Sequence, residues 1–122
     1  MVWNPRIEIV TGEIERICLR KAYSFASIFS DDPVTNSGAI IVSDGAIVSE
    51  GANRISKGIE ATADKLVDRE WKYEFIVHAE QEAIFRAARN GKATAGAIMY
   101  APWMACTPCA KAIIASGITT LI

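Results

Sequence analysis

The 122-residue sequence predicts an α/β domain with helices laid against a mixed sheet. Three observations carry this. Apolar residues recur at helical spacing over Glu13 to Ser30, whereas Gly38 to Ser43 and Ala46 to Ala52 are short β-branched runs joined by Asp44-Gly45. Near the end, a helical pattern lies between two apolar runs, which implies a parallel, right-handed crossover. Half of the residues are hydrophobic, as expected of a chain that buries a core.

In the first helix, Ile14, Ile17, Cys18, Ala22, Phe25, Ile28 and Phe29 form one apolar face. Asp31-Asp32-Pro33 ends it, because a residue before proline is pushed out of helical geometry. The Asp44-Gly45 pair suits a two-residue hairpin turn. From Asn53 to Tyr73 charges interleave with Ile59, Ala63, Leu66 and Val67, so a loop carrying one short amphipathic helix is expected, as the mobile part of the chain. A second long helix is predicted over Val77 to Asn90, with Gly91 at its C-terminal cap. Ala95 to Tyr100 reads as a third strand and Pro102 to Ala105 as a loop. Cys106 to Ser116 reads as a third helix closed by Gly117, and Ile118 to Ile122 as a fourth strand. There are no repeats or linkers, so residues 1–122 are expected to form one domain.

Composition narrows the function classes. Thirteen basic against fourteen acidic residues leave a net charge of −1, which disfavours broad nucleic-acid binding. A small substrate carrying one phosphate is still compatible. No apolar run approaches a membrane span, and the N-terminus lacks a signal-peptide pattern. Three cysteines, two of them in a C-x-x-C, indicate metal binding in a reducing compartment, with the cytoplasm as the expected location.

The chemistry lies in His78-Ala79-Glu80 and, 26 residues further on, Cys106-Thr107-Pro108-Cys109. One imidazole and two thiolates can hold a catalytic zinc while leaving its fourth position open for water. His78, Cys106 and Cys109 are therefore the candidate Zn2+ ligands. Glu80, two residues past the histidine, can stay close without being a ligand. Zinc lowers the pKa of a bound water to about 7, and a nearby carboxylate can move its proton, which makes Glu80 the candidate catalytic acid–base. H-x-E followed by C-x-x-C is the pattern of zinc deaminases acting on cytosine or adenine rings. Both halves are expected in the first turn of a helix, where free N–H groups and the helix dipole stabilise thiolates. Backbone N–H groups of Ala79 and Cys106 are then candidates for orienting substrate.

At these residues the chain resembles the cytidine deaminase superfamily, most closely its deoxycytidylate (dCMP) deaminase branch, over nearly its whole length. Ser30-Asp31-Asp32-Pro33-Val34-Thr35-Asn36-Ser37-Gly38-Ala39-Ile40-Ile41-Val42 is similar to that branch's first helix end and first strand. Gly51-Ala52-Asn53 is similar to its glycine-x-asparagine motif, which implies that Asn53 binds nucleotide. Cys109 to Ile114 with Gly117-Ile118 resembles its third helix and following strand. The resemblance implies a three-layer α/β/α fold with strand order 2-1-3-4-5, strands 4 and 5 parallel, one zinc, hydrolytic deamination and homo-oligomeric assembly. Here the fifth strand is expected to be absent. Ala105 stands where the family usually has proline, with prolines instead at 102 and 108.

Other residues have plainer expected roles. Cys18 lies on the apolar face of the first helix and is expected in the core. Trp71, Tyr73 and Phe75 are expected to pack rather than stack a base. Arg54, Lys57 and Lys72 are expected as solvated surface charges. Trp103, beside the motif, is a candidate for lining the pocket. The expected function is deamination of dCMP to dUMP with release of ammonia. Deamination of another base (adenosine in tRNA, guanine, a pterin-like precursor) and a catalytically silent zinc module are the alternatives.

Overall fold

The computed structural model describes residues 12–122; the reading that the N-terminus lacks a signal peptide falls outside them. Helical periodicity at the start becomes α1 (Glu13–Phe29). The two β-branched runs become β1 (Gly38–Ser43) and β2 (Ala46–Ala52), with the bounds expected from the sequence. Asp44 and Gly45 both have positive φ, 50° and 76°, the geometry of a hairpin turn that follows the strand twist. The C-terminal part supplies α4 (Ala79–Arg89), β5 (Ile98–Tyr100), α5 (Thr107–Ala115) and β6 (Thr120–Leu121). Among the described residues the main sheet runs β2-β1-β5-β6, antiparallel except for the parallel β5–β6 pair. This is the 2-1-3-4 order expected, now with other elements between.

Alternation along β1 and β5 divides the core into two layers. Ala39, Ile41, Ala97 and Met99 face α4 and α5, meeting Ala79, Ala83 and Ile113. Ile40 and Tyr100 point the other way, onto Cys18 and Ala22 of α1. Helices thus cover both faces, and Cys18 is a core residue as expected.

Two glycines let these layers close. A Cβ on Gly38 would run into the Ala22 carbonyl of α1, and one on Gly51 into the backbone of Ala79 and Ala83 in α4. The α1 face is narrower than its periodicity suggested. Cys18, Ala22, Phe25 and Ala26 are buried, but Ile14 and Ile28 are 68% and 72% exposed because they overhang the ends of the contact.

The segment before α4 departs most from expectation. In place of a loop with one helix, it contains β3 (Arg54–Ile55), α2 (Ala63–Val67), α3 (Arg69–Phe75) and β4 (Ile76–Val77). Strands of two residues show no periodicity, so only their pairing, Arg54 with Val77 and Ile55 with Ile76, defines them. The helices are started by local caps. Thr62 Oγ1 accepts from Lys65 N, and Asp68 Oδ1 accepts from Glu70 N and Trp71 N. Val77 belongs to β4 rather than to the following helix. β5 and β6 are shorter than predicted; Gly96, with positive φ, turns the chain within the predicted start of β5.

The loop from α1 to β1 is built around Asp32. Its Oδ1 accepts from Val34 N at 2.9 Å and Thr35 N at 3.2 Å, and Lys72 of α3 pairs with both oxygens at 3.1 Å. Lys72 was expected at a solvated surface; its side chain is only 15% exposed. Burial by itself would raise the Asp32 pKa, but the bonds from Val34, Lys72 and Thr35 outweigh it and hold the carboxyl below its usual range.

Two stability predictions follow from this packing. Gly51→Ala should lower stability by about 1–3 kcal/mol or more, because the added methyl meets backbone that cannot swing aside; thermal denaturation reads this directly. The depressed Asp32 contributes stability that is complete above its unfolded pKa of about 4 and is lost as pH falls through its lower folded value. Urea midpoints for native protein and Asp32→Asn should therefore differ at pH 7, begin to approach each other below about pH 4, and converge only once the pH lies below the depressed folded pKa.

Candidate metal centre

The first described step toward a site is the way two helices begin. His78 is the N-cap of α4, with φ −67° and ψ 153°, and Cys106 is the N-cap of α5, with φ −69° and ψ 167°. Both are extended residues immediately ahead of a helix, one position earlier than the first turn expected. Pro108 is tolerated because the first N–H groups of a helix have no intrahelical acceptor. The shared core of Ala79, Ala83, Met99 and Ile113 holds α4 beside α5, so their N-termini meet.

At that meeting point His78 Nδ1 lies 3.3 Å from Cys106 Sγ and 3.3 Å from Cys109 Sγ. The three donor atoms all lie within 4.8 Å of one another. A tetrahedral zinc with Zn–N of about 2.0–2.1 Å and Zn–S of about 2.3 Å needs N···S separations of roughly 3.5 Å. The donor set and its spacing fit Zn2+. Among the described residues the cluster offers three donors, which leaves one coordination position for a small molecule. Cys109 is buried while Cys106 is exposed, so the centre is closed on its core side and approachable from the other.

Glu80, the second residue of α4, is buried and only 7% exposed. Burial, then the Glu80 charge and the Cys106 thiol, push the Cys109 pKa well up. A cation must displace the thiol proton to bind, so metal loading should release protons.

Asn53 is also buried, 6% exposed, at the end of β2. Its Oδ1 accepts from Ser30 Oγ at 2.6 Å and from Ser37 N at 3.0 Å, and its Nδ2 donates to Thr35 O at 2.7 Å. Asn53 immediately precedes β3 and His78 immediately follows β4, the two strands that pair through Arg54–Val77 and Ile55–Ile76. Gly51, read from sequence as part of a nucleotide motif, serves the approach of α4. Ala79 is buried at the first position of α4, and Trp103 is half-exposed in the loop before Cys106.

The roles of three site neighbours, Glu82, Ser30 and Ser37, escaped the sequence reading. Glu82 Oε2 accepts from Ala52 N at 2.7 Å, tying α4 to the residue before Asn53. Its other oxygen lies 3.6 Å from Arg86 and 4.0 Å from Arg54, which itself approaches Asp31 at 3.9 Å. Ser30 and Ser37 hold the Asn53 amide. Short polar residues around a proline did signal a turn there, but not which side chain it would grip.

The layered fold and the His/Cys/Cys cluster define a zinc-binding domain of the deaminase type. The family model described as "Cytidine and deoxycytidylate deaminase zinc-binding region" matches residues 13–122, and the chain belongs to that family. Human deoxycytidylate deaminase is 36% identical over 101 residues, covering 76% of this chain and 54% of the human protein. The enzyme of the same name from Enterobacteria phage T4 is 49% identical over 53 residues, 43% of this chain and 28% of the phage protein. These alignments therefore cover from little more than a quarter to about half of the relatives' own lengths. The dCMP deaminase of cyanophage S-TIM5, solved in complex with dCMP and dUMP, shares the fold. It superposes with a TM-score of 0.77 at 24% identity, covering 93% of this chain and 82% of that one.

Purified protein should hold about one zinc per chain, and Cys109→Ala or His78→Ala should lose most of it, as read by elemental analysis. Full zinc occupancy after replacing both Cys106 and Cys109 by alanine would disprove the ligand set.

Proposed function

We propose that the protein is a hydrolytic deaminase of a cytosine nucleotide, converting dCMP and water to dUMP and ammonia. The observation that carries this reading is the buried Glu80 carboxylate beside a three-donor metal cluster at the start of α4. The likeness to human and phage deoxycytidylate deaminases supports the choice of base. His78, Cys106 and Cys109 would hold the zinc, which when bound would supply a Lewis acid able to make water nucleophilic near neutral pH.

The remaining chemistry falls to the chain. Glu80 takes the proton of the attacking water and passes it to ring N3, then delivers the second proton to the departing amino group. The exchange balances: the C4–N bond breaks, a C4–O bond forms, and ammonia leaves. Its burial keeps the carboxylate close to the reacting atoms and away from competing water. Ala79 and Cys106 contribute backbone N–H groups at two helix starts, suited to orienting the ring and its developing charge. Among the described residues Ser30 and Ser37 donate to Asn53 Oδ1 and Thr35 O accepts one Nδ2 hydrogen, which leaves the second Nδ2 hydrogen as its contact to the nucleotide. Trp103 forms one wall of the pocket.

The same reading makes the protein a cytoplasmic homo-oligomer. The thiols that the centre needs persist in a reducing compartment, and Phe85 and Trp103 present exposed apolar surface for association. No described helix is long and apolar enough to cross a membrane.

Ammonia release should be measured for dCMP, deoxycytidine, cytosine, adenosine and guanine. dCMP should give the highest kcat/KM, because binding of its sugar and phosphate holds the ring in place for attack. Glu80→Gln should keep its zinc and lose about 10²–10⁴-fold in turnover. Asn53→Ala should weaken use of dCMP with zinc content intact. Turnover of adenosine or guanine alone would overturn the choice of base. Silence toward the whole panel from zinc-loaded protein would favour a non-catalytic module.

A further inference from the structure

The segment between β3 and β4 has no role in the chemistry above, yet it sends one charged side chain into the fold. Lys72 projects from α3 to Asp32, forty residues earlier, and both side chains are largely buried at 15% and 7% exposure. Asp32 passes the connection on, since its Oδ1 also accepts from Thr35 N. Thr35 in turn offers its carbonyl to Asn53 Nδ2. A second route closes the circuit: Ser30 Oγ receives Asp32 N at 3.2 Å and bonds Asn53 Oδ1 at 2.6 Å. The amide of Asn53 is thus held from both ends by the loop that Asp32 organises.

We propose that Lys72 is a positioning residue for nucleotide binding, acting through Asp32 and Thr35 to fix the orientation of the Asn53 amide. This rests on the reading that Asn53 contacts the nucleotide. The physical argument is one of charge compensation. A buried carboxylate that loses its cation is left uncompensated and draws in water or a proton, either of which loosens the turn it organises. Asn53 would then lose the acceptor that fixes Nδ2 and keep only Ser37 N to mark Oδ1 against a flip. A flipped or mobile amide presents an acceptor where the ligand requires a donor. The cost falls on binding, because Lys72 touches neither the zinc ligands nor Glu80 in this arrangement. The α2–α3 segment thereby becomes part of the substrate apparatus, through one ion pair.

The test is equilibrium binding of dUMP, which is not turned over, to zinc-loaded native protein, Lys72→Met, Asn53→Ala and the double variant, by calorimetry. Lys72→Met should weaken binding about tenfold, within the range of coupling seen between connected residues. It should weaken binding less than twofold when Asn53 is already alanine, with zinc content unchanged throughout. Equal losses in the two backgrounds, or no loss in the native one, would overturn the assignment alone. Native protein that binds neither dUMP nor dCMP would overturn the substrate reading, and this assignment with it. Should Lys72→Met fail to fold, Lys72→Gln takes its place, because it keeps a long side chain with a polar end while removing the cation that faces the Asp32 carboxylate. The same pattern of loss is expected from it.

Discussion

The structure depends on two helix N-termini meeting at one point. α4 and α5 each begin at a residue that is both helix cap and metal-ligand candidate, His78 and Cys106. A helix start presents free N–H groups and partial positive charge, so two of them side by side are a costly arrangement without negative groups between. Thiolates and the Glu80 carboxylate supply that negative charge, and a cation in turn balances them. The site is therefore electrostatically consistent only as an ensemble of helix ends, thiols, carboxylate and metal. The rest of the fold can be understood as what holds the His78 imidazole nitrogen 3.3 Å from the sulfurs of Cys106 and Cys109.

Holding them requires small residues where large ones would be the usual core choice. Ala79, Ala83 and Ala87 line the buried side of α4, and Gly51 lets β2 lie directly against its backbone. Large aliphatic groups appear one layer away, at Ile41, Met99 and Ile113. Close approach gives up some buried apolar area per residue, but it makes the position of α4 nearly rigid, because backbone cannot adopt another rotamer. The acid–base role proposed for Glu80 would use this rigidity, because such a group must stay within hydrogen-bond reach of the proton it moves.

A softer layer surrounds this rigid one. Asn53 is placed by β3–β4 pairing on one side and by the Asp32 loop on the other, and both depend on short elements of two residues or on single side-chain bonds. Glu82 adds a tie from α4 to Ala52. The metal centre thus draws its geometry from helix packing, whereas the region assigned to the nucleotide draws its geometry from a polar network. Such networks lose definition when one member is removed, which makes this region the natural place for differences in specificity between related chains.

Much of this was legible in the chain itself. The β1–β2 hairpin followed from residue alternation and Asp44-Gly45, and the main-sheet order from the resemblance. The candidate metal donors and the candidate acid–base Glu80 were picked out by spacing alone, because a histidine, a carboxylate and two thiols at helix starts form a local chemical pattern, and the structure brings the three donors together. What the sequence could not determine were contacts between residues far apart with no periodicity of their own. Two-residue strands exist only through their partners, and the burial of Lys72 depends on Asp32 lying under α3. The exposed ends of the α1 face likewise reflect how far the sheet extends beneath them, not their hydrophobicity. Local chemistry determined which residues could form the centre. Only tertiary packing decided which charges were buried and which amide was gripped, because desolvation and hydrogen-bond partners belong to the folded neighbourhood rather than to the residue.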